Sequence, residues 1–144
     1  MKLQARRSSC GPASLANALE CLGMSRTEEE LITLCGQTTE GTTDKGLRKA
    51  IAAVGGLNRE ISESRPDVAM LILLQAIYEG RPVIVCCETW GHWAVCAGVL
   101  GFGKRVVCID SGDNDLVRLR TLDEVVEWWK GPEASKKPWY GVIV

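Results

Sequence analysis

The feature that most limits the folds open to this chain is a change of hydrophobic period near its middle. Up to about residue 80, apolar residues recur three and four apart, the spacing of one helix face. Leu15, Ala16, Ala18, Leu19 and Leu22 mark a first helix, which Gly23 stops. Ser25 to Glu30 supplies a cap and a first turn rich in acids for a second helix, running to about Cys35. Thr43-Asp44 opens a third, with Leu47, Ala50, Ile51 and Val54 on one face and Gly55-Gly56 at its end. A short strand is expected over Leu57–Ile61, and an apolar helix over Val68–Tyr78. Beyond this the runs are strand-like: Pro82–Cys87, His92–Leu100, Arg105–Asp110 and Trp139–Val144, with Gly101-Phe102-Gly103-Lys104 as a hairpin turn. Thr121 to Glu124 caps one late helix that ends near Trp129. Helices first and an antiparallel sheet second predict an α+β fold of two layers.

Composition narrows the function. The 144 residues suit one domain, 1–144, with a real core. A net charge of -1 gives no reason to expect nucleic acid or an anionic membrane as a partner. No apolar run approaches the roughly 18 residues of a membrane span, and the Met1–Arg7 segment does not read as a secretory signal. The seven cysteines are odd in number and form no C-x-x-C pair, a reduced pattern that predicts a cytoplasmic location. Cys86 and Cys87 adjoin in a strand and should face opposite ways. With one histidine and no paired cysteine spacing, a structural zinc site is not expected. Asp113, Asn114 and Asp115 read as a solvated turn rather than a calcium loop.

The chemistry concentrates in Gln4-Ala5-Arg6-Arg7-Ser8-Ser9-Cys10-Gly11-Pro12-Ala13-Ser14-Leu15. This is a loop running into the first helix. Ser8 and Ser9 are capping residues, and Pro12 suits a first turn. Cys10 therefore falls at a helix start, where exposed amides and the helix dipole favour a thiolate. A lone cysteine there is more often a small buried residue, so a base must be found elsewhere. His92, the one imidazole, opens an apolar strand after Trp90-Gly91. Asp110 closes the strand expected to pair with it, so the open ends of the hairpin can place base and carboxylate together. Trp90 and Trp93 flank His92 and either pack or shape a cleft. Ser14 faces no evident base.

Taken in order, these pieces resemble the bacteriocin-processing (double-glycine leader) peptidases within the papain-like cysteine peptidases. The matching segments are Gln4-x5-Cys10-Gly11-Pro12-Ala13-Ser14, Gly91-His92-Trp93-Ala94-Val95 and Val107-Cys108-Ile109-Asp110. The loop Gly41–Leu47, the Trp128-Trp129 helix and the last strand are also similar. The resemblance implies a papain-like fold, with the nucleophile on the N-terminal helical layer and His and Asp on the sheet. It implies Cys10 as nucleophile, His92 as general base and acid, Asp110 as the orienting residue and Gln4 as the oxyanion side chain. It implies a peptide or protein as substrate. Two positions depart from the pattern: the residue after Asp110, often proline, is Ser111, and no membrane transporter segment is present. The activity implied is peptide-bond hydrolysis through a thioester, which calls for no metal or organic cofactor. Deamidation or acyl transfer would use the same residues. A silent peptide-binding module of the same fold is the alternative from another class.

Overall fold

The computed structural model describes residues 1–5 and 8–144; Arg6 and Arg7, within the Gln4–Leu15 stretch, lie outside the described residues. The helices are α1 (Cys10–Cys21), α2 (Glu28–Cys35), α3 (Asp44–Ala53), α4 (Pro66–Tyr78) and α5 (Leu122–Trp129). The strands are β1 (Arg59–Glu63), β2 (Val83–Cys87), β3 (His92–Leu100), β4 (Arg105–Ile109), β5 (Val117–Thr121) and β6 (Trp139–Ile143). They form one antiparallel sheet in the order β1-β6-β2-β3-β4-β5.

Local chemistry sets most of these boundaries. Thr27 and Thr121 each form a capping box, with Glu30 and Glu124 reaching back to the cap amide. The Thr43 hydroxyl accepts from Gly46 N–H at the start of α3. Gly36 ends α2 in the left-handed conformation that costs glycine least. Pro66 begins α4, where its missing N–H leaves no helical bond unmade.

The sheet has helices on both faces, which makes three layers where the sequence suggested two. Strand β2 is buried along its whole length. Ile84 and Cys86 face α1, α2 and α3, together with Trp93, Val95, Ile109 and Val142. Val83, Val85 and Cys87 face α4 and α5, together with Ala94, Cys96, Val106 and Ile143. Cys86 and Cys87 thus occupy different cores, as alternation along a strand requires. Trp129, fully buried on the second side, donates its indole N–H to the Tyr140 carbonyl at 2.7 Å.

Two strands differ from the sequence expectation. β1 lies at Arg59–Glu63, two residues beyond the predicted start. β5 has no counterpart in the prediction: Val117-Arg118-Leu119-Arg120-Thr121 is a mostly exposed edge strand. It pairs with β4 across five rungs, from Arg105–Thr121 to Ile109–Val117.

One contact fixes the helical half against the sheet at the functional end. Ser14, buried in α1, donates its hydroxyl to the Trp93 carbonyl at 2.9 Å. It ties the first turns of α1 to the start of β3. Among the described residues, no helix is long and apolar enough to cross a membrane.

Candidate active site

Cys10 is the first residue of α1. Ser9 precedes it as cap by position only, because its side chain makes no capping bond. The Ser9 hydroxyl donates instead to the Glu28 carboxylate, which also accepts from Ala5 N–H at 3.1 Å. Glu28, at the start of α2, therefore staples the loop leading to Cys10. Gly11 follows because the Thr42 side chain lies against it; an added Cβ would come within 2.7 Å of Thr42 Cβ.

His92 is delivered by an unusual turn. Glu88, Thr89 and Trp90 all have left-handed backbones, with φ of 52°, 55° and 66°. Such conformations cost roughly 1–2 kcal/mol per non-glycine residue. Three bonds oppose that cost: Glu88 N–H to the Trp128 carbonyl, Gly91 N–H to the Glu88 carbonyl, and Trp90 indole N–H to the Pro138 carbonyl. His92 then begins β3 opposite Cys87. Asp110 lies just past the Val95–Ile109 rung of the next hairpin. His92 Nε2 and Asp110 Oδ1 are 2.6 Å apart, and Gly112 N–H donates to the same oxygen at 3.0 Å. Asp113 pairs with Arg118 instead, at 2.9 Å.

With Nε2 engaged by Asp110, Nδ1 is the imidazole nitrogen left for the Cys10 thiol. Burial pushes that thiol up. The hydrogen bond from His92, amide bonds from Trp93 and Gly11, and the imidazolium charge outweigh burial and hold it below 9.0. Burial pulls His92 down, but the bonds to Asp110 and Cys10 raise it to about 10. Burial raises Asp110, and the bond to His92 overcomes this and lowers it. The arrangement favours a thiolate, an imidazolium and a carboxylate in line.

The other thiols differ. Burial raises Cys35 and Cys86 to about 12 and Cys87 higher still. Cys96 and Cys108 face each other across β3 and β4 and are fully enclosed. Cys21 is exposed, but partial burial and Glu20 raise it. Only Cys10 is both lowered and reachable. Brief iodoacetamide treatment at about pH 6, below the usual thiol range, should therefore label Cys10 before any other cysteine in a peptide mass map. First labelling at Cys21 would contradict this.

Gln4 joins the group from the N-terminal segment. Its backbone N–H donates to the Ser111 carbonyl at 3.0 Å, and its Oε1 accepts from Ser111 Oγ at 3.1 Å. Gln4, His92, Asp110 and Gly112 line one polar cleft with Glu88, Asp113 and Asn114. A second cleft of about 360 Å³ is lined by Thr42, Thr43, Asp44, Cys86, Trp90, Trp93 and Tyr140. Both tryptophans thus shape a cleft. Trp93 is also packed, edge-on to Tyr140 with ring centres 6.1 Å apart, and donates to the Thr42 carbonyl at 3.0 Å.

The structure thus brings Gln4, Cys10, His92 and Asp110 to one end of the sheet. The Peptidase C39 family profile matches residues 1–129 of the chain. The chain belongs to the Peptidase C39 family. The fold of this C39 chain is similar to the peptidase domain of Streptococcus ComA, a bifunctional ABC transporter involved in quorum sensing. That match has a TM-score of 0.75 at 19% identity, covering 98% of this chain and 93% of the other. It is also similar to a double-glycine-motif protease from an AMS/PCAT transporter, solved in complex with the leader peptide. There the TM-score is 0.72 at 19% identity, covering 98% of this chain and 86% of the other. In sequence it is 42% identical over 69 residues to an uncharacterised protein of Methanothermobacter thermautotrophicus, covering 45% of this chain and 49% of the relative. The matches to the curated relatives extend over about half their length or less. Family and fold support a cysteine peptidase.

Two contributors to the candidate site, Glu28 and Ser111, are not legible as such in the sequence, whereas Thr42 lies in a polar loop, 36–42, of the kind expected to line a cleft, and does line one. Glu28 reads in the sequence as an acid in a first helical turn, and Ser111 as a departure from the family pattern. Each acts through a partner far along the chain, for which local sequence holds no signal. Among the described residues, no group of three or more His, Cys, Asp or Glu side chains is placed to hold a metal ion.

Proposed function

We propose that this chain is a cysteine peptidase, acting as one domain over 1–144, that hydrolyses a peptide bond through Cys10, His92, Asp110 and Gln4. The observation that carries the reading is the convergence of a lowered, reachable thiol with a histidine held by a buried carboxylate. The Cys10 thiolate attacks the substrate carbonyl, forming the C–S bond and an oxyanion. The Gln4 side-chain amide and the Cys10 backbone N–H donate to that oxygen. As the tetrahedral species collapses, His92 gives its proton to the leaving amine and a thioester remains. Water then attacks the thioester, His92 takes its proton, and Cys10 leaves as thiolate. Asp110 keeps the imidazole oriented and stabilises its charged form. The substrate class is a peptide, and the aromatic cleft beside His92 is the surface that would receive part of it. The leader peptide bound to the AMS/PCAT relative supports that choice.

The test separates turnover from mere peptide binding. Gln4→Ala should slow single-turnover acylation of Cys10 by an activated peptide ester by about a hundredfold, the usual effect of losing one oxyanion donor. Peptide affinity, measured in a Cys10→Ala background, should change far less, because the lost interaction belongs to the transition state. Unchanged acylation would refute the oxyanion role. Equal losses in affinity and acylation would make Gln4 a ground-state contact and favour a binding module.

A further inference from the structure

We propose that Ser111 is a positioning residue that fixes the orientation of the Gln4 amide. The inference rests on the oxyanion role proposed for Gln4 and adds to it the device that sets the amide's direction.

A glutamine side chain has three rotatable bonds and two chemically opposite ends. If the amide rotates by half a turn, a carbonyl oxygen faces the developing oxyanion and repels it. An oxyanion donor must therefore have its oxygen held elsewhere. Ser111 does this: its hydroxyl, on a residue 2% exposed, donates to Gln4 Oε1 at 3.1 Å. In this arrangement the hydroxyl donates and Oε1 accepts, so the oxygen end of the amide is the one held at Ser111. Because the amide is planar, fixing the oxygen fixes the nitrogen at the other end. The same two residues are joined through the backbone, Gln4 N–H to the Ser111 carbonyl at 3.0 Å. Two bonds thus close a ring between residues far apart in the chain.

The neighbours of Ser111 sharpen the argument. Asp110 orients His92, and Gly112 N–H supports the Asp110 carboxylate. A Cβ at Gly112 would come within 3.1 Å of His92 Cε1 and 3.4 Å of Gln4 Oε1. One turn, 110–112, therefore lies against both the imidazole and the Gln4 amide. Asp110 sets one and Ser111 sets the other.

The experiment compares Ser111→Ala, Gln4→Ala and the double variant in single-turnover acylation. Ser111→Ala should slow acylation by about tenfold, as expected from losing one neutral hydrogen bond that holds the donor. In the Gln4→Ala background the same change should add nothing, because no amide remains to be oriented. Alkylation of Cys10 by iodoacetamide forms no oxyanion, so its rate should stay at the wild-type value in Ser111→Ala. Normal acylation in Ser111→Ala, with Gln4→Ala still slow, would overturn the positioning role and leave the oxyanion reading standing. Independent, multiplying losses would also overturn it, as would slowed alkylation, which signals general damage to the site. Normal acylation in Gln4→Ala would remove the oxyanion reading itself, and this inference with it.

Discussion

Replacing His92 with alanine should lower acylation of Cys10 by about 10⁴-fold or more, the scale on which loss of a paired base acts in hydrolases of this logic. The same variant should show why. In the wild-type protein, burial raises the thiol and His92 is the largest influence opposing it. Without the imidazole only the Trp93 and Gly11 amides oppose burial, so the Cys10 titration should move up towards or beyond the ordinary 9.0. Alkylation rate against pH reads this directly. The wild-type curve should rise below pH 9. The His92→Ala curve should be displaced to higher pH. In the wild type, kcat/KM should also fall as pH rises through about 10, where His92 loses its proton. An unshifted alkylation curve in His92→Ala would mean that the imidazole does not activate the thiol.

Asp110→Ala should reduce turnover by about 10²–10⁴-fold, because the imidazole loses the partner that orients it and stabilises its charge. Asp113→Ala should have almost no effect on turnover, since Asp113 is bonded to Arg118 on β5. The pH response gives a second readout. Asp110 helps to hold His92 at about 10, so its removal should bring the alkaline limb of the activity profile to lower pH. The sign follows from the charge removed: a lost carboxylate makes the imidazolium less stable. Larger damage from Asp113→Ala than from Asp110→Ala would reverse the assignment.

The order of elements was legible because it is written locally. Thr27 and Thr121 announce their helices through Glu30 and Glu124, and Gly23, Gly36 and Gly80 end theirs in positive φ. The residues of the candidate site were legible as types in order, and the structure places Cys10 at a helix start, His92 at the start of β3 and Asp110 just past β4. β5 was not, because Val117-Arg118-Leu119-Arg120-Thr121 is short, charged and mostly exposed, with little to separate it from a loop. Against the burial that raises Asp110, its Arg120 adds a lesser lowering influence behind the hydrogen bond and charge of His92 and the Gly112 amide. The second helical layer did leave a signal in Val83–Cys87, five apolar residues in a row, the mark of a strand covered on both faces. What no local pattern carries is the pairing of Gln4 with Ser111 or of Ser9 with Glu28, since each bond depends on where distant elements come to rest.

The strand order has a consequence for the making of this protein. β6, furthest along the chain of the six strands, lies in the sheet interior between β1 and β2. Val142 completes one core and Ile143 the other. Until residues 139–143 have been produced, β1 and β2 each lack their β6 partner and neither hydrophobic interior is complete. Trp90, whose turn presents His92, also lacks the Pro138 carbonyl that steadies it. A chain still emerging from the ribosome therefore carries Cys10 and His92 on a fold that lacks its interior strand, so under the proposed reading activity is expected only once residues 139–143 have been synthesised and placed.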